Sequence, residues 1–164
     1  DMTSSRGLGD VYKRQPFQVI DELPKKNIDT GMGLERIAMI MQDKDNLFDT
    51  DLFKPLHDAL LSKITVNDNK YEKIIIDHIK SSTFMISDGV VPTNEGRGYV
   101  LRRLIRRAIR AYNQLNSSNT SLTFLIEIVI DMYASSYPEL QDNKVKILKL
   151  FINCLLYTSD AADD

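Results

Sequence analysis

The stretch Ile28–Ile37 reads Ile-Asp-Thr-Gly-Met-Gly-Leu-Glu-Arg-Ile. It predicts a short strand, Lys26–Thr30, then a glycine turn that opens into a helix. Because glycine has no Cβ atom, a planar nucleotide base can approach the main chain closely at Gly31 and Gly33. A guanidinium group is planar and always charged, so Arg36 is suited to stack on a base or to bind a phosphate. The stretch therefore predicts a nucleotide site of the kind that holds ATP.

The two ends of the chain do not resemble the rest of it. Residues 5–15 and 154–163 match the translation of a transposon-type sequencing adapter, read from one strand at the start and from the other strand at the end. We therefore expect residues 1–15 and 154–164 to be adapter-derived and exclude them from the interpretation of the fold. The alternative is a pair of disordered tails, which would carry no function either.

Composition excludes some kinds of chemistry but does not indicate a partner. Residues 16–153 contain 18 Lys and Arg against 18 Asp and Glu, so the net charge of −2 for the whole chain becomes zero. The one cysteine, Cys154, lies in an adapter-derived segment, so we predict no disulfide or thiolate chemistry. No apolar run approaches the roughly 18 residues that cross a bilayer, and no signal-peptide pattern is present. We expect a cytoplasmic protein without membrane contact.

Beyond the glycine stretch, hydrophobic periodicity predicts helices in series and no internal repeat. The polar segment Lys44–Thr50 is the predicted domain boundary, Asp88–Gly98 is a glycine-rich loop, and residues 116–120 form a Ser/Asn-rich loop. One face of the third helix carries Ile75, Ile79, Ser82 and Ile86. The predicted helices are Leu34–Gln42, Asp51–Ile64, Tyr71–Ser87, Tyr99–Leu115, Leu122–Ser136 and Lys144–Ile152.

The helix Tyr99–Leu115 carries five arginines on one face and apolar residues on the other. At about 100° per residue, these arginines lie between roughly 100° and 240° from Leu101. They are Arg102, Arg103, Arg106, Arg107 and Arg110. A solvated helix face usually mixes charges of both signs, so this face predicts a polyanion such as a nucleic acid as partner. The alternative is neutralisation by acids of neighbouring helices.

Just ahead of this helix, the glycine-rich loop presents Asn94. Its carboxamide has both a donor and an acceptor and is therefore suited to the edge of a base. The alternative is an ordinary turn or cap residue.

Three stretches, in this order and spacing, resemble the alanyl-tRNA synthetase family. They are Ile28–Ile37, Asp77–Ile79 and Asp88–Arg103. The resemblance covers residues 16 to about 112, and it implies a mainly α fold. Residues 16–43 would be the C-terminal edge of an antiparallel α+β class II catalytic domain, with the strand and helix of motif 3. Residues 44–153 would be a truncated helical tRNA-recognition domain.

The resemblance also implies roles for individual residues. Gly31 and Gly33 would form the floor under the adenosine, Arg36 would contact ATP, and Asp29 would hold the α-ammonium group of alanine. Asn94 would match the residue that reads the G·U wobble pair of the tRNA(Ala) acceptor stem from the minor groove. The carboxamide oxygen of Asn94 can accept a hydrogen bond from this pair, because a G·U wobble pair leaves the guanine amino group without a partner in the minor groove. Arg97 and the arginine helix would lie near the RNA backbone.

The parts of the family pattern that are missing matter as well. Nothing in the chain resembles motifs 1 and 2, so the groups that grip the α-phosphate and most ligands of Mg²⁺ would lie outside it. We predict no metal site here, and zinc only in the absent editing domain. The parent enzyme would activate alanine with ATP and transfer it to tRNA(Ala), while this fragment would be inactive. A stand-alone helical RNA-binding module and a structural bundle with internally paired arginines are the alternatives.

Overall fold

The structure is a computed structural model that describes residues 31–115 and 121–159, with side chains as far as residue 154. Asp29, the predicted strand Lys26–Thr30 and the predicted loop at 116–120 lie outside these residues. The chain divides into two compact units, residues 1–32 and residues 33–164. The predicted domain boundary between residues 43 and 44 falls within the second unit, and it stays a prediction.

Seven α-helices and one short 3-10 helix make up the described part of the second unit. The 3-10 helix, Leu47–Asp49, follows the first α-helix. The α-helices are α1 (Leu34–Met41), α2 (Lys54–Leu61), α3 (Asn69–Ser87), α4 (Gly96–Leu115), α5 (Thr123–Tyr133), α6 (Glu139–Asp142) and α7 (Lys144–Ser159).

Local signals at both ends define α3. The Asp68 side chain accepts a hydrogen bond of 2.9 Å from the amide of Lys70, which caps the start of the helix. After Ser87 the chain leaves the helix through Gly89 at φ 88°, a left-handed conformation that favours glycine. The predicted apolar face is confirmed, since all four of its residues are buried. They are Ile75, Ile79, Ser82 and Ile86.

The core lies between α3, α4 and the helices that cover them. α4 packs mainly along α3, and α5 and α7 also contact this pair. The predicted apolar face of α4 is buried, with Leu101, Ile105 and Ala108 fully inaccessible to solvent. Burying one Leu or Ile side chain contributes about 1.5–3 kcal/mol, so this pair of helices supplies much of the stability of the unit.

Several predicted bounds were wrong. The second helix is Lys54–Leu61 and not Asp51–Ile64; it begins next to Pro55, which suits a first helical turn. The polar segment Lys44–Thr50 contains the 3-10 helix, and Phe48 there packs against the core. The short helix α6 was not predicted.

The last helix also differs from its prediction. α7 continues to Ser159, through residues that we predict to be adapter-derived. No helix of the described ranges is long and apolar enough to cross a membrane.

Candidate functional site

α1 begins directly after the glycine stretch and carries its arginine. Gly33 is the N-cap residue of α1 in an extended conformation, and Arg36 lies in the first turn. The Arg36 side chain is exposed, and no hydrogen bond or ion pair joins it to another described residue. A Cβ atom on Gly33 would meet only ordinary contacts with the Arg36 side chain, at 3.7 Å. Gly31, in the first unit, is exposed.

Glu35, next to Arg36, makes an ion pair with Lys80 of α3. The Nζ atom of Lys80 donates a hydrogen bond of 2.6 Å to Oε1 of Glu35. Only 11% of the Lys80 side chain is exposed, against 33% of Glu35. Nζ also lies 4.6 Å from the ring centroid of Phe53 and 5.0 Å from that of Tyr133, distances at which a cation is attracted to a ring face. Lys80 is therefore enclosed by two rings and one carboxylate.

The electrostatics of this pair favour both charged forms. The hydrogen bond from Lys80 holds the pKa of Glu35 below its usual value. Burial opposes the charge on Lys80, but the side chains of Glu35 and Tyr133 more than offset it, so the pKa of Lys80 lies above its usual value. The link is consequently ionic throughout the neutral range.

A cavity of about 470 Å³ adjoins this ion pair. Arg36 from α1, Asp77 and Ser81 from α3, and Tyr137 after α5 all contribute to its wall, together with Lys80. The cavity therefore brings the predicted ATP-contacting arginine into the same wall as residues of the helical bundle.

Asn94 lies in a loop that is held tightly against the start of α4. The Nη1 atom of Arg102 donates a hydrogen bond of 2.7 Å to Oδ1 of Asn94. One residue earlier, the Thr93 hydroxyl donates to the carbonyl of Glu95 at 2.8 Å. Gly98 is buried under this loop, so close to Thr93 that a Cβ atom would collide with it. The side chain of Asn94 is thus exposed but oriented by its contact with Arg102.

The five predicted arginines of α4 lie together on one side of the helix. Arg103, Arg107 and Arg110 are exposed, and Arg102 and Arg106 are half-buried. Their side chains and Tyr99 line a groove of about 380 Å³. Within residues 31–115 and 121–154, no acid forms an ion pair with any of them. The acid partners that the structural-bundle alternative requires are therefore missing from the described part. Arg97, at the start of α4, is also exposed.

Metal coordination has no candidate among the side chains that the structure describes. No group of three or more His, Cys, Asp or Glu residues is arranged there to hold an ion.

Neither Glu35 nor Lys80 stands out as a functional residue in the sequence. Glu35 lies inside the quoted glycine stretch, and Lys80 directly follows the matching stretch Asp77–Ile79. The two residues are 45 positions apart in the sequence, and only the tertiary fold brings them together. No local pattern in the sequence reveals this contact. The only sequence signal was a lysine within a largely buried helix, a position where lysine is rare unless paired.

Comparison with known proteins places the chain among aminoacyl-tRNA synthetases. A sequence model of the family described as tRNA synthetases class II (A) matches residues 9–153. An alanine–tRNA ligase of Corynebacterium glutamicum is 40% identical over 157 residues, which cover 92% of this chain and 18% of that protein.

Two further relatives are more similar over a shorter alignment. An alanine–tRNA ligase of Idiomarina loihiensis is 46% identical over 135 residues, 81% of this chain and 16% of the relative. Alanine–tRNA ligase 1 of Lachnoclostridium phytofermentans is 47% identical over 136 residues, which cover 79% of this chain and 16% of that protein. The chain thus spans less than a fifth of the length of these relatives. The family match begins inside the first predicted adapter-derived segment and ends just before the second, so the adapter assignment stays a prediction.

Proposed function

Because the chain belongs to the family of class II (A) tRNA synthetases, we propose that it is a segment of an alanine–tRNA ligase that recognises the acceptor stem of tRNA(Ala). The whole enzyme would activate alanine with ATP and transfer it to the tRNA in the cytoplasm. The observation that carries the proposal is the arginine face of α4, which has no acid partner among the described residues and has Asn94 beside it.

The arginine face suits an RNA backbone. Its exposed guanidinium groups can each bind a phosphate, and releasing counterions from the RNA makes such binding favourable and salt-dependent. Arg97 at the start of α4 extends the positive surface toward Asn94. These contacts would fix the position of the acceptor stem without reading its sequence.

Asn94 would supply the sequence reading. Its Oδ1 atom accepts one hydrogen bond from Arg102 and has a second lone pair, while its amide group keeps two donor hydrogens. The free oxygen lone pair can accept a hydrogen bond from the guanine amino group that a G·U wobble pair leaves unpaired in the minor groove. Arg102 would thereby combine a structural contact with a contribution to the positive surface.

On the ATP side, we propose that Arg36 binds ATP and that Gly31 and Gly33 admit the adenosine. The exposed Arg36 side chain, with no partner among the described residues, fits this role. Asp29 would hold the ammonium group of alanine. Positioned guanidinium groups lower the barrier of adenylate formation mainly by stabilising developing negative charge on the phosphate.

Magnesium and zinc do not fit the residues in the described part of the chain, because no cluster of ligands is arranged for either ion. No step of the proposed reaction uses a metal held by the described residues of this segment. Mg²⁺ would be held elsewhere in the full enzyme, with ATP.

The test is the variant Asn94→Ala in a full-length ligase that carries this segment. We expect the preference for a G·U over a G·C acceptor stem in aminoacylation to fall by about 10- to 100-fold, the worth of one specific base contact of about 1–3 kcal/mol. Alanine-dependent ATP–pyrophosphate exchange should change by less than about twofold, because that step needs no tRNA.

Asn67→Ala is the matched control, since Asn67 is exposed and lies in a loop before α3. It should leave both steps unchanged. An equal loss of both steps in Asn94→Ala would instead assign Asn94 a packing role and overturn its part in recognition.

A further inference from the structure

α1 is joined to the helical bundle by polar contacts and not by a buried apolar face. None of its residues is fully buried: Leu34, Ile40 and Met41 are 57%, 69% and 79% exposed, and its other apolar residues, Ile37, Ala38 and Met39, are only half-buried. A surface helix of a globular protein is ordinarily fixed by its apolar stripe. The orientation of α1 must therefore depend strongly on the other contacts that it makes.

Among the described residues, the side-chain hydrogen bonds that join α1 to the rest of the chain lie at the two ends of the helix. At the first turn, Glu35 binds Lys80. At the C-cap, the Gln42 amide donates a hydrogen bond of 2.5 Å to Oδ1 of Asp51, and Oε1 of Gln42 accepts one of 3.0 Å from the amide of Asp51. The second link is open to solvent, since Asp51 is exposed and Gln42 is only half-buried, so water competes with it. The first link is the less exposed one and is charge-assisted, which makes it the stronger tether.

Lys80 is the fixed partner of this tether. It follows Ile79, which is fully buried in the core, and its ammonium group is enclosed by the rings of Phe53 and Tyr133. Glu35, by contrast, belongs to a helix without buried residues. Holding Glu35 therefore holds the first turn of α1, and with it the neighbouring Arg36.

We infer that Lys80 is a positioning residue, which holds Arg36 in place for ATP through its ion pair with Glu35. The inference rests on the proposed function for the identity of the ligand. It assigns to a residue of the helical bundle a contribution to the activation step, although Lys80 itself contacts no substrate in this proposal. α3 also packs along the arginine helix α4, so the same helix supports both proposed binding surfaces.

The first measurement tests the tether without reference to any ligand. In the 164-residue chain, hydrogen exchange of the α1 amides should be about tenfold faster or more in Lys80→Met, because Glu35 loses a charge-assisted partner. Exchange in α3 and α4 should change less. Lys54→Met is the matched control: it removes another lysine–carboxylate pair, with Asp58 at 3.1 Å, which is well exposed and lies outside α1. Unchanged α1 exchange in Lys80→Met would overturn the inference, whatever the enzyme does.

The second measurement tests the consequence for ATP in a full-length ligase that carries this segment. In alanine-dependent pyrophosphate exchange, Lys80→Met should raise the KM for ATP about fivefold or more and leave the KM for alanine within about twofold. Lys80→Arg, which keeps the positive charge between the two rings, should recover most of the loss. A purely structural role would lower the active fraction without this selective change in KM.

Each failure has a separate meaning. Faster α1 exchange with an unchanged KM for ATP would overturn the positioning of Arg36 while leaving the proposed function intact. An unaltered full-length ligase without alanine-dependent exchange would overturn the proposed function, and with it the role of Lys80 toward ATP.

Discussion

The placement of Asn94 depends on the absence of a single methyl group. A Cβ atom on Gly98 would collide with the Thr93 hydroxyl and with the carbonyl oxygen of Val91. The backbone carbonyl cannot rotate out of the way as a flexible side-chain end could, so the loop or the first turn of α4 would have to move. The second glycine of the sequence Glu-Gly-Arg-Gly, Gly98, is thus a steric requirement of the proposed recognition loop.

Gly98→Ala should therefore lower the free energy of unfolding by about 1–3 kcal/mol, the usual cost of overpacking a tight contact. It should also weaken binding of tRNA(Ala), because the loop that presents Asn94 is displaced. Chemical denaturation and a binding titration measure the two effects. Gly33→Ala is the matched control: its added methyl group meets only ordinary contacts, so its cost should be limited to that of a poorer N-cap, less than about 1 kcal/mol. If Gly98→Ala left the free energy of unfolding unchanged, the loop would be able to move away from the added methyl group, and Gly98 would not be a steric requirement.

Hydrophobic periodicity predicted the helices whose position depends on the local sequence. α3 and α4 have long, regular apolar faces, and both were found close to their predicted bounds. Contacts between elements were beyond the reach of periodicity. Phe48 packs against the core from a segment whose composition is polar, and Lys80 meets Glu35 across 45 positions. Such contacts depend on tertiary packing, which overrides local preference.

The charge of the α4 arginine face was likewise predictable from the sequence, but its lack of acid partners among the described residues was not.

This lack of acid partners favours RNA as the group that neutralises the arginines, so the affinity for RNA should depend on the salt concentration. Removing two exposed arginines in Arg103→Ala with Arg107→Ala should make the slope of log affinity against log salt less steep by about two for a tRNA(Ala) acceptor stem. Filter binding or fluorescence anisotropy over a range of salt concentrations measures it.

The control for this slope is Lys44→Ala with Lys54→Ala, which removes two exposed lysines that lie outside the arginine face. Its slope should match that of the unaltered chain. If both double variants change the slope equally, the binding is diffuse electrostatic attraction and α4 is not the site.

The chain covers only 16–18% of the length of the alanine–tRNA ligases to which it is similar. We expect the purified 164-residue chain to show no alanine-dependent ATP–pyrophosphate exchange, because no stretch in it resembles motifs 1 and 2. Release of pyrophosphate that requires both alanine and ATP would contradict this. A full-length ligase that carries this segment is the positive control for the assay.

The ion pair between Glu35 and Lys80 has a consequence for protein engineering. One partner lies before the predicted domain boundary at residues 43 and 44, and the other lies well after it. A chimaera that joins the part of one ligase before this boundary to the part of another ligase after it would inherit the two charges from different parents. Where the parents differ at either position, the recombined protein could contain one charge without its counterpart; an unpaired Lys80 would remain between the rings of Phe53 and Tyr133. Compatible junctions must therefore be chosen by transferring residues 35 and 80 together.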